Sequence, residues 1–177
     1  MHPLEKFRFC PVCGSDLFVE NNFKSKKCSA CGFTYYANPS SATAAFIVRD
    51  NGQLLVAQRG KEPAKGTLDL VGGFVDMDET GEEGIRREVL EETGMTVDNC
   101  RYLFSLPNLY TYSGMTIHTL DMFFLIRVPD DAQPKAADDV AELRWVSLDA
   151  LQPEAFGLWS IREGVSRFLK ESLTLRK

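Results

Sequence analysis

Residues 73–95 read GFVDMDETGEEGIRREVLEETGM, and the chain is organised around them. It places Glu88, Glu91 and Glu92 within five residues, directly behind Arg87, and stops at Gly94. On an α-helix each residue advances about 100°, so the three glutamates share one arc of roughly 100°. Two unit charges about 4 Å apart repel by roughly 4 kcal/mol at an effective dielectric near 20. Such a cost calls for an offset, and oxygen ligands at this density suit a hard divalent cation, Mg²⁺ or Mn²⁺. The helix boundaries are written in the same stretch. Thr80-Gly-Glu-Glu83 is a capping-box pattern, Ile85 and Val89 form a core-facing stripe, and Gly94 fits the left-handed residue past a helix end.

Upstream, residues 37–41 (ANPSS) have the composition of a boundary. From Ala42 the apolar run ATAAFIV reads as a strand, followed by Asp50-Asn51-Gly52 and a second strand, QLLVAQ. Asn-Gly between two apolar runs is a strong hairpin signal. Thr67 to Val71 reads as a short strand running into Gly72 and Gly73. Downstream we expect a strand near 96–104, a loop over 105–114, a long strand over 115–128, a polar loop over 130–139 and a strand over 142–147. A last helix shows Ile161, Val165, Phe168, Leu169 and Leu173 at helical spacing, the stripe of a helix packed on the core. Strands and helices mixed in this way predict an α/β protein built on a helix-flanked mixed sheet.

Residues 1–36 are different in kind. Cys10-Pro-Val-Cys13-Gly and Cys28-Ser-Ala-Cys31-Gly are two knuckles, each able to wrap one metal, with a glycine to turn the backbone beneath it. Together they predict a closed Cys₄ site for a structural Zn²⁺, in a ribbon too short to bury a core of its own. Phe33, Tyr35 and Tyr36 beside Lys24, Lys26 and Lys27 admit two readings. They bind nucleic acid by stacking and charge, or, as we favour, the aromatics pack the ribbon against the main domain and the lysines are solvated. The fifth cysteine, Cys100, stands alone and reads as buried rather than reactive; His118 reads as a strand residue rather than a ligand.

With 177 residues, 44% hydrophobic and 25% charged, the chain has the makings of a soluble globular protein with a real core. No apolar run approaches the roughly 20 residues of a membrane helix, and the N-terminus lacks the pattern of a signal peptide. An odd cysteine count without such a signal points to the cytoplasm. Residues 1–36 carry five Lys/Arg against three Asp/Glu, a balance of +2; the net charge of −5 therefore leaves −7 on the remainder. That balance argues against broad nucleic-acid or anionic-membrane binding.

Gly73, five residues, Glu79, seven residues, then Arg87-Glu88-Val89-Leu90-Glu91-Glu92-Thr93-Gly94-Met95 resembles a complete Nudix box, GX₅EX₇REUXEEXGU with U a bulky apolar residue. Seven identities at fixed spacing coincide by chance on the order of 10⁻⁹ per start position. With the ribbon in front, the chain is similar to the zinc-ribbon branch of the Nudix hydrolases, of which the NADH pyrophosphatases are the best-known members. The resemblance implies a ribbon over 1–36 and a Nudix domain over 37–177, the latter an α/β/α sandwich around a mixed sheet. It implies hydrolysis at the pyrophosphate of a nucleoside diphosphate linked to a second group, such as ADP-ribose, NADH or a related dinucleotide. It further implies that Glu88, Glu91, Glu92 and the Gly73 carbonyl hold Mg²⁺ or Mn²⁺, that Glu88 is also a candidate to take the proton of the attacking water, and that Arg87 and Glu79 orient the helix and its carboxylates. Family analogy alone points to a homodimer.

A later acid often completes such a site. Asp138, Asp139 and Glu142 precede Trp145, and by its offset from that tryptophan Asp139 is the candidate. The NADH pyrophosphatase motif SQPWPFPXS corresponds here to SLPNLYTYS at 105–113, which keeps Ser105, Pro107 and Ser113 but lacks the tryptophan and two prolines. The change weakens the case for NADH specificity. It leaves Tyr110 and Tyr112 either to stack a base or to pack the loop. Two other functions stay open: removal of a nucleotide cap from RNA with the ribbon holding RNA, and a nucleotide-sensing module that binds without hydrolysis.

Overall fold

A computed structural model describes residues 2–137 and 140–175, apart from the side chains of Tyr112 and residues 172–175. The chain begins with a small antiparallel sheet of β1 (Phe18–Asn22), β2 (Ser25–Cys28) and β3 (Thr34–Tyr36) in that order. Its core is Cys10, Phe18 and Cys28 with Phe33 against them, which is too little apolar area to hold a sheet by itself.

The larger sheet is mixed. Its members are β4 (Ser40–Arg49), β5 (Gln53–Arg59), β6 (Leu68–Asp69), β7 (Arg101–Tyr112), β8 (Met115–Val128) and β9 (Val140–Ser147). The path runs β6-β5-β4-β8-β7, with β9 on β5. Parallel pairing of β4 with β8 runs from Ser40↔Thr119 to Arg49↔Val128, and the other pairs are antiparallel. β4 and β5 turn through residues 50–52, with Gly52 at φ 81° as a three-residue hairpin requires. They pair at Val48↔Leu54 and then part. The 68–74 segment enters the fork, bonding to β5 at Ala57↔Asp69 and to β4 at Ala45↔Val71 and Ala42↔Phe74.

Strand alternation sends side chains to both faces. Ala45, Ile47, Leu55, Phe124 and Ile126 meet Ile85 and Val89 of α1 (Gly81–Thr93). Ala44, Phe46, Val48, Leu54, Val56 and Phe123 meet Ile161, Val165 and Phe168 of α2 (Trp159–Leu175). The result is the predicted helix–sheet–helix sandwich. Among the described residues no helix is long and apolar enough to cross a membrane.

One expectation fails. Residues 105–114 are not a loop: β7 runs on to Tyr112 and turns to β8 through Ser113 and Gly114, both at positive φ (49° and 71°). That is the two-residue hairpin favoured by strand twist. Pro107 is tolerated because β7 is the edge strand. The same strand begins at Arg101, later than the expected 96.

Candidate active site

Helix α1 is placed by its ends and its stripe. Glu83 N–H donates to Thr80 Oγ1 (3.2 Å), while Thr80 N–H donates to Glu83 Oε2 (2.8 Å), completing the capping box. Gly94 closes the other end at φ 69°. With Ile85 and Val89 fully buried, Arg87, Glu88, Glu91 and Glu92 are left to line a cavity of about 680 Å³. That is the size of a small-molecule site.

Arg87 organises this wall. Its Nε and Nη2 donate to the two oxygens of Glu79 (2.8 and 3.0 Å), its Nη1 to Glu88 Oε1 (2.9 Å) and Glu91 Oε2 (3.0 Å), and Nη2 also to the Phe74 carbonyl (2.9 Å). The Glu79 bonds are the largest reason that the guanidinium pKa rises above its ordinary value. In return Arg87, and then the Asp76 amide, hold the Glu79 carboxyl below its usual range. Arg87 therefore offsets part of the repulsion that the sequence alone assigned to a cation. Glu92 lies on the other side, accepting from the Gly72 amide at 3.1 Å. Among the described residues the four cysteine sulfurs lie within 4.8 Å of one another, whereas Glu88 and Glu91 are drawn together through Arg87 Nη1. As donors the glutamates are anionic oxygens facing one cavity, which fits a hard divalent cation.

The two glycines ahead of the helix make different allowances. A Cβ on Gly72 (φ 148°) would lie 2.2 Å from the Thr43 carbonyl oxygen, so the chain passes this close to β4 only without a side chain. A Cβ on Gly73 would lie 2.4 Å from Glu88 Oε1. The Gly73 carbonyl, expected as a metal ligand, accepts from Thr43 N–H at 2.8 Å and Thr43 Oγ1 at 3.3 Å and is bound into the sheet. What Gly73 gives Glu88 is room.

Tyr110 lines the same cavity, with its ring edge-on to Phe74 (5.8 Å between centroids) and its hydroxyl 3.5 Å from Arg59 Nη2. Arg59 pairs with Asp69 on the neighbouring strand. Asn108, Thr119 and Asp121 complete this side. Sequence reasoning missed Phe74, Arg59, Asp69 and Asp121. Asp121 alone left a trace, as a lone acid within the apolar run of β8; the others stand at no recognisable spacing.

Asp138, Asp139 and the Tyr112 side chain lie outside the described residues. The loop leading to those acids is anchored on α1, because Lys135 N–H and Ala137 N–H donate to the Thr93 and Glu92 carbonyls (2.9 and 3.1 Å). Glu142 is exposed, opposite Gln58.

In the ribbon the four cysteine sulfurs converge, with Cys10–Cys31 and Cys13–Cys28 separations of 3.7 Å. A tetrahedral zinc with bonds of about 2.3 Å sets its sulfurs about 3.8 Å apart, whereas a disulfide needs about 2.05 Å. Gly14 and Gly32 (φ 73° and 79°) donate back to the Cys10 and Cys28 carbonyls, giving two matching knuckles. The Cys31 amide is the largest cause holding the Cys28 thiol down to about 7, and, against the pull of the Phe33 amide, the neighbouring Cys13 sulfur pushes the Cys31 thiol up to about 12. The expected packing of Phe33, Tyr35 and Tyr36 on the main domain is not what is seen. Phe33 stacks on Phe18 and Tyr35 on Phe7, inside the ribbon, and Tyr36 is half exposed. Lys26 is buried and donates to the Phe7 carbonyl. A direct link between ribbon and main domain runs from Lys6 Nζ to the Gly114 carbonyl at the β7–β8 turn.

The family model of the NUDIX domain matches residues 38–167. The NAD-capped RNA hydrolase NudC of Vibrio cholerae is 31% identical over 156 residues, covering 87% of this chain and 54% of its own. The chain thus spans about half the length of the curated relatives it matches. Among solved structures, a MutT NUDIX hydrolase from Burkholderia pseudomallei is 27% identical at a TM-score of 0.62, covering 73% of this chain and 97% of its own. A NUDIX hydrolase from Nitrosomonas europaea shares the fold at a TM-score of 0.68 and 20% identity, over 93% and 91% of the two chains. With the family model covering most of its length and the box residues on one cavity wall, the chain belongs to the NUDIX family.

Proposed function

We propose that the protein hydrolyses the pyrophosphate of NAD- or ADP-ribose-type compounds, with Mg²⁺ or Mn²⁺, in the cavity over α1. One observation carries this reading. The Arg87-anchored glutamates and the Phe74–Tyr110 pair line the same cavity, so charge chemistry and a stacking platform lie within reach of one ligand. Glu88, Glu91 and Glu92 would hold the cation, and the Gly73 carbonyl, already bonded to Thr43, is the weaker candidate. When bound there, the cation supplies neutralisation of the pyrophosphate charge and a water of lowered pKa. Arg87, fixed bidentately by Glu79, holds Glu88 and Glu91 in register. Glu88, with space kept open by Gly73, is placed to take the proton of the attacking water, and Asp139 is the second acid proposed from the following loop. Tyr110 stacks the base; Phe74, half exposed and nearly perpendicular to it, borders the stacking face.

Residues 1–36 we take as a ribbon folded by Zn²⁺, ahead of a hydrolase domain over 37–177 in a cytoplasmic protein. Incubation of the purified protein with Mg²⁺ or Mn²⁺ and a panel of nucleoside diphosphate derivatives, with products identified by mass, should show ADP-ribose and NAD split into AMP and the matching phosphate. Cleavage only of nucleoside triphosphates would sink the assignment.

A second reading is action on an NAD-type cap of RNA, the activity for which the Vibrio cholerae relative is named. Its support is the exposed Phe23, Tyr36, Lys24 and Lys27 on a ribbon whose own balance is +2. Exchange of Lys24 and Lys27 for glutamate should weaken RNA binding and flatten its salt dependence. Unchanged binding would remove the ribbon from that role.

A further inference from the structure

The wall opposite the glutamates carries a charge that pyrophosphate chemistry does not use. Asp121 is buried on β8, and among the described residues its hydrogen-bond partners are neutral: Asn108 Nδ2 (3.1 Å) and Ser160 Oγ (2.5 Å) donate to Oδ2, and Thr119 Oγ1 (2.6 Å) donates to Oδ1. Each of those partners is itself buried, so the group is a built feature of the fold. A carboxylate has about four acceptor positions, and here three are filled. The nearby guanidinium, Arg59, is committed to Asp69. Burial is the main reason that the Asp69 carboxyl rises above its ordinary value, against the pull of Arg59, and the Asp121 charge adds to the rise. Arg59 is thus taken up by Asp69, and the groups that reach Asp121 directly are two hydroxyls and an amide. The start of α2, where Ser160 lies, offsets only part of the Asp121 charge through the helix dipole.

The wall is within reach of the stacking platform. Asp121 sits across the sheet from Ala42, whose neighbour on the other side is Phe74, two strand spacings or about 10 Å away. A buried carboxylate without a cation is costly, and a ligand that brings the positive charge recovers part of that cost. Phosphates cannot, and adenine and ribose are neutral. Of the groups on NAD-type compounds, the oxidised nicotinamide ring is the cation, and its carboxamide N–H can fill the fourth acceptor position. The reduced ring has nearly the same outline and no charge.

Resting on the pyrophosphohydrolase reading above, we propose that Asp121, with Asn108, Thr119 and Ser160, forms a subsite for the oxidised nicotinamide ring and selects it over the reduced ring by charge. A charge pair several ångströms apart at an effective dielectric near 20 corresponds to a preference of about tenfold or more. The test is kcat/KM of the intact protein for NAD⁺ and NADH, with ADP-ribose, which has no nicotinamide, as a reference. Wild type should favour NAD⁺ by about tenfold, and Asp121→Asn should bring the ratio to within about threefold of unity. A wild-type ratio near one, or one favouring NADH, overturns the subsite whether or not the variant folds. So does a folded Asp121→Asn protein with an unchanged ratio. Turnover of ADP-ribose with either of those results leaves the hydrolase reading standing, and turnover of none of the three overturns both.

Discussion

At Gly72 an added methyl would meet backbone, the Thr43 carbonyl oxygen at 2.2 Å, whereas at Gly73 it would meet the movable Glu88 carboxylate. The two substitutions should therefore separate. Gly72→Ala should destabilise the fold by about 3 kcal/mol or more, read as a fall in thermal midpoint. Gly73→Ala should leave the midpoint nearly in place and lower kcat, because Glu88 is displaced. Equal midpoint losses would show that both glycines serve only the fold. Glu79 makes a second prediction. Its carboxyl is depressed in the folded protein, so its pairing with Arg87 stabilises above the ordinary carboxyl pKa of about 4.3 and is lost as pH falls through the lower folded value. Denaturation of wild type and Glu79→Gln between pH 6 and 3 should show the wild-type advantage shrinking toward acid; a constant gap would contradict it. These residues were legible because chemistry fixes their spacing within one helix and its entry loop. Arg59, Asp69 and Asp121 come together only through strand pairing, and no local pattern records that.

Among the elements, α1 was legible to the residue because its caps are short-range. Thr80→Ala should cost about 1 kcal/mol, since the Glu83 amide loses its acceptor while the Ile85 and Val89 stripe stays packed. A loss much beyond about 2 kcal/mol would mean that Thr80 supports more than the helix end. The β7–β8 hairpin was not legible. Pro107 and the polar run around it look like loop, and an edge strand tolerates both because one side of its backbone needs no ladder partner. Ser113-Gly114 then turns the strand by taking positive φ at both positions, which serine seldom does. The consequence for the site is direct: Asn108 and Tyr110 are held on a strand, in register with Thr119 and Ile117, rather than on a free loop.

At the scale of the molecule, two metal sites have separate tasks in this account. The ribbon buries little beyond Cys10, Phe18 and Cys28, so on the proposal that Zn²⁺ fills the Cys₄ cluster its folding would rest on that ion, whereas the sandwich has a core on each side of its sheet. Chelation of zinc should release about one ion per chain and remove amide protection over β1–β3, with the larger sheet still protected in hydrogen exchange. Loss of protection throughout would show that the two parts fold as one. The ordering of cysteines in the sequence already carried this division, because paired thiolates and clustered carboxylates call for different ions. Metal-dependent pyrophosphate hydrolysis by the α1 glutamates is tested by steady-state turnover of NAD⁺ with Mg²⁺ by wild type and by folded, zinc-loaded Glu92→Gln. Wild type should release AMP and the variant should lose at least about a hundredfold in kcat; wild-type turnover by the variant would show that Glu92 has no part in the reaction.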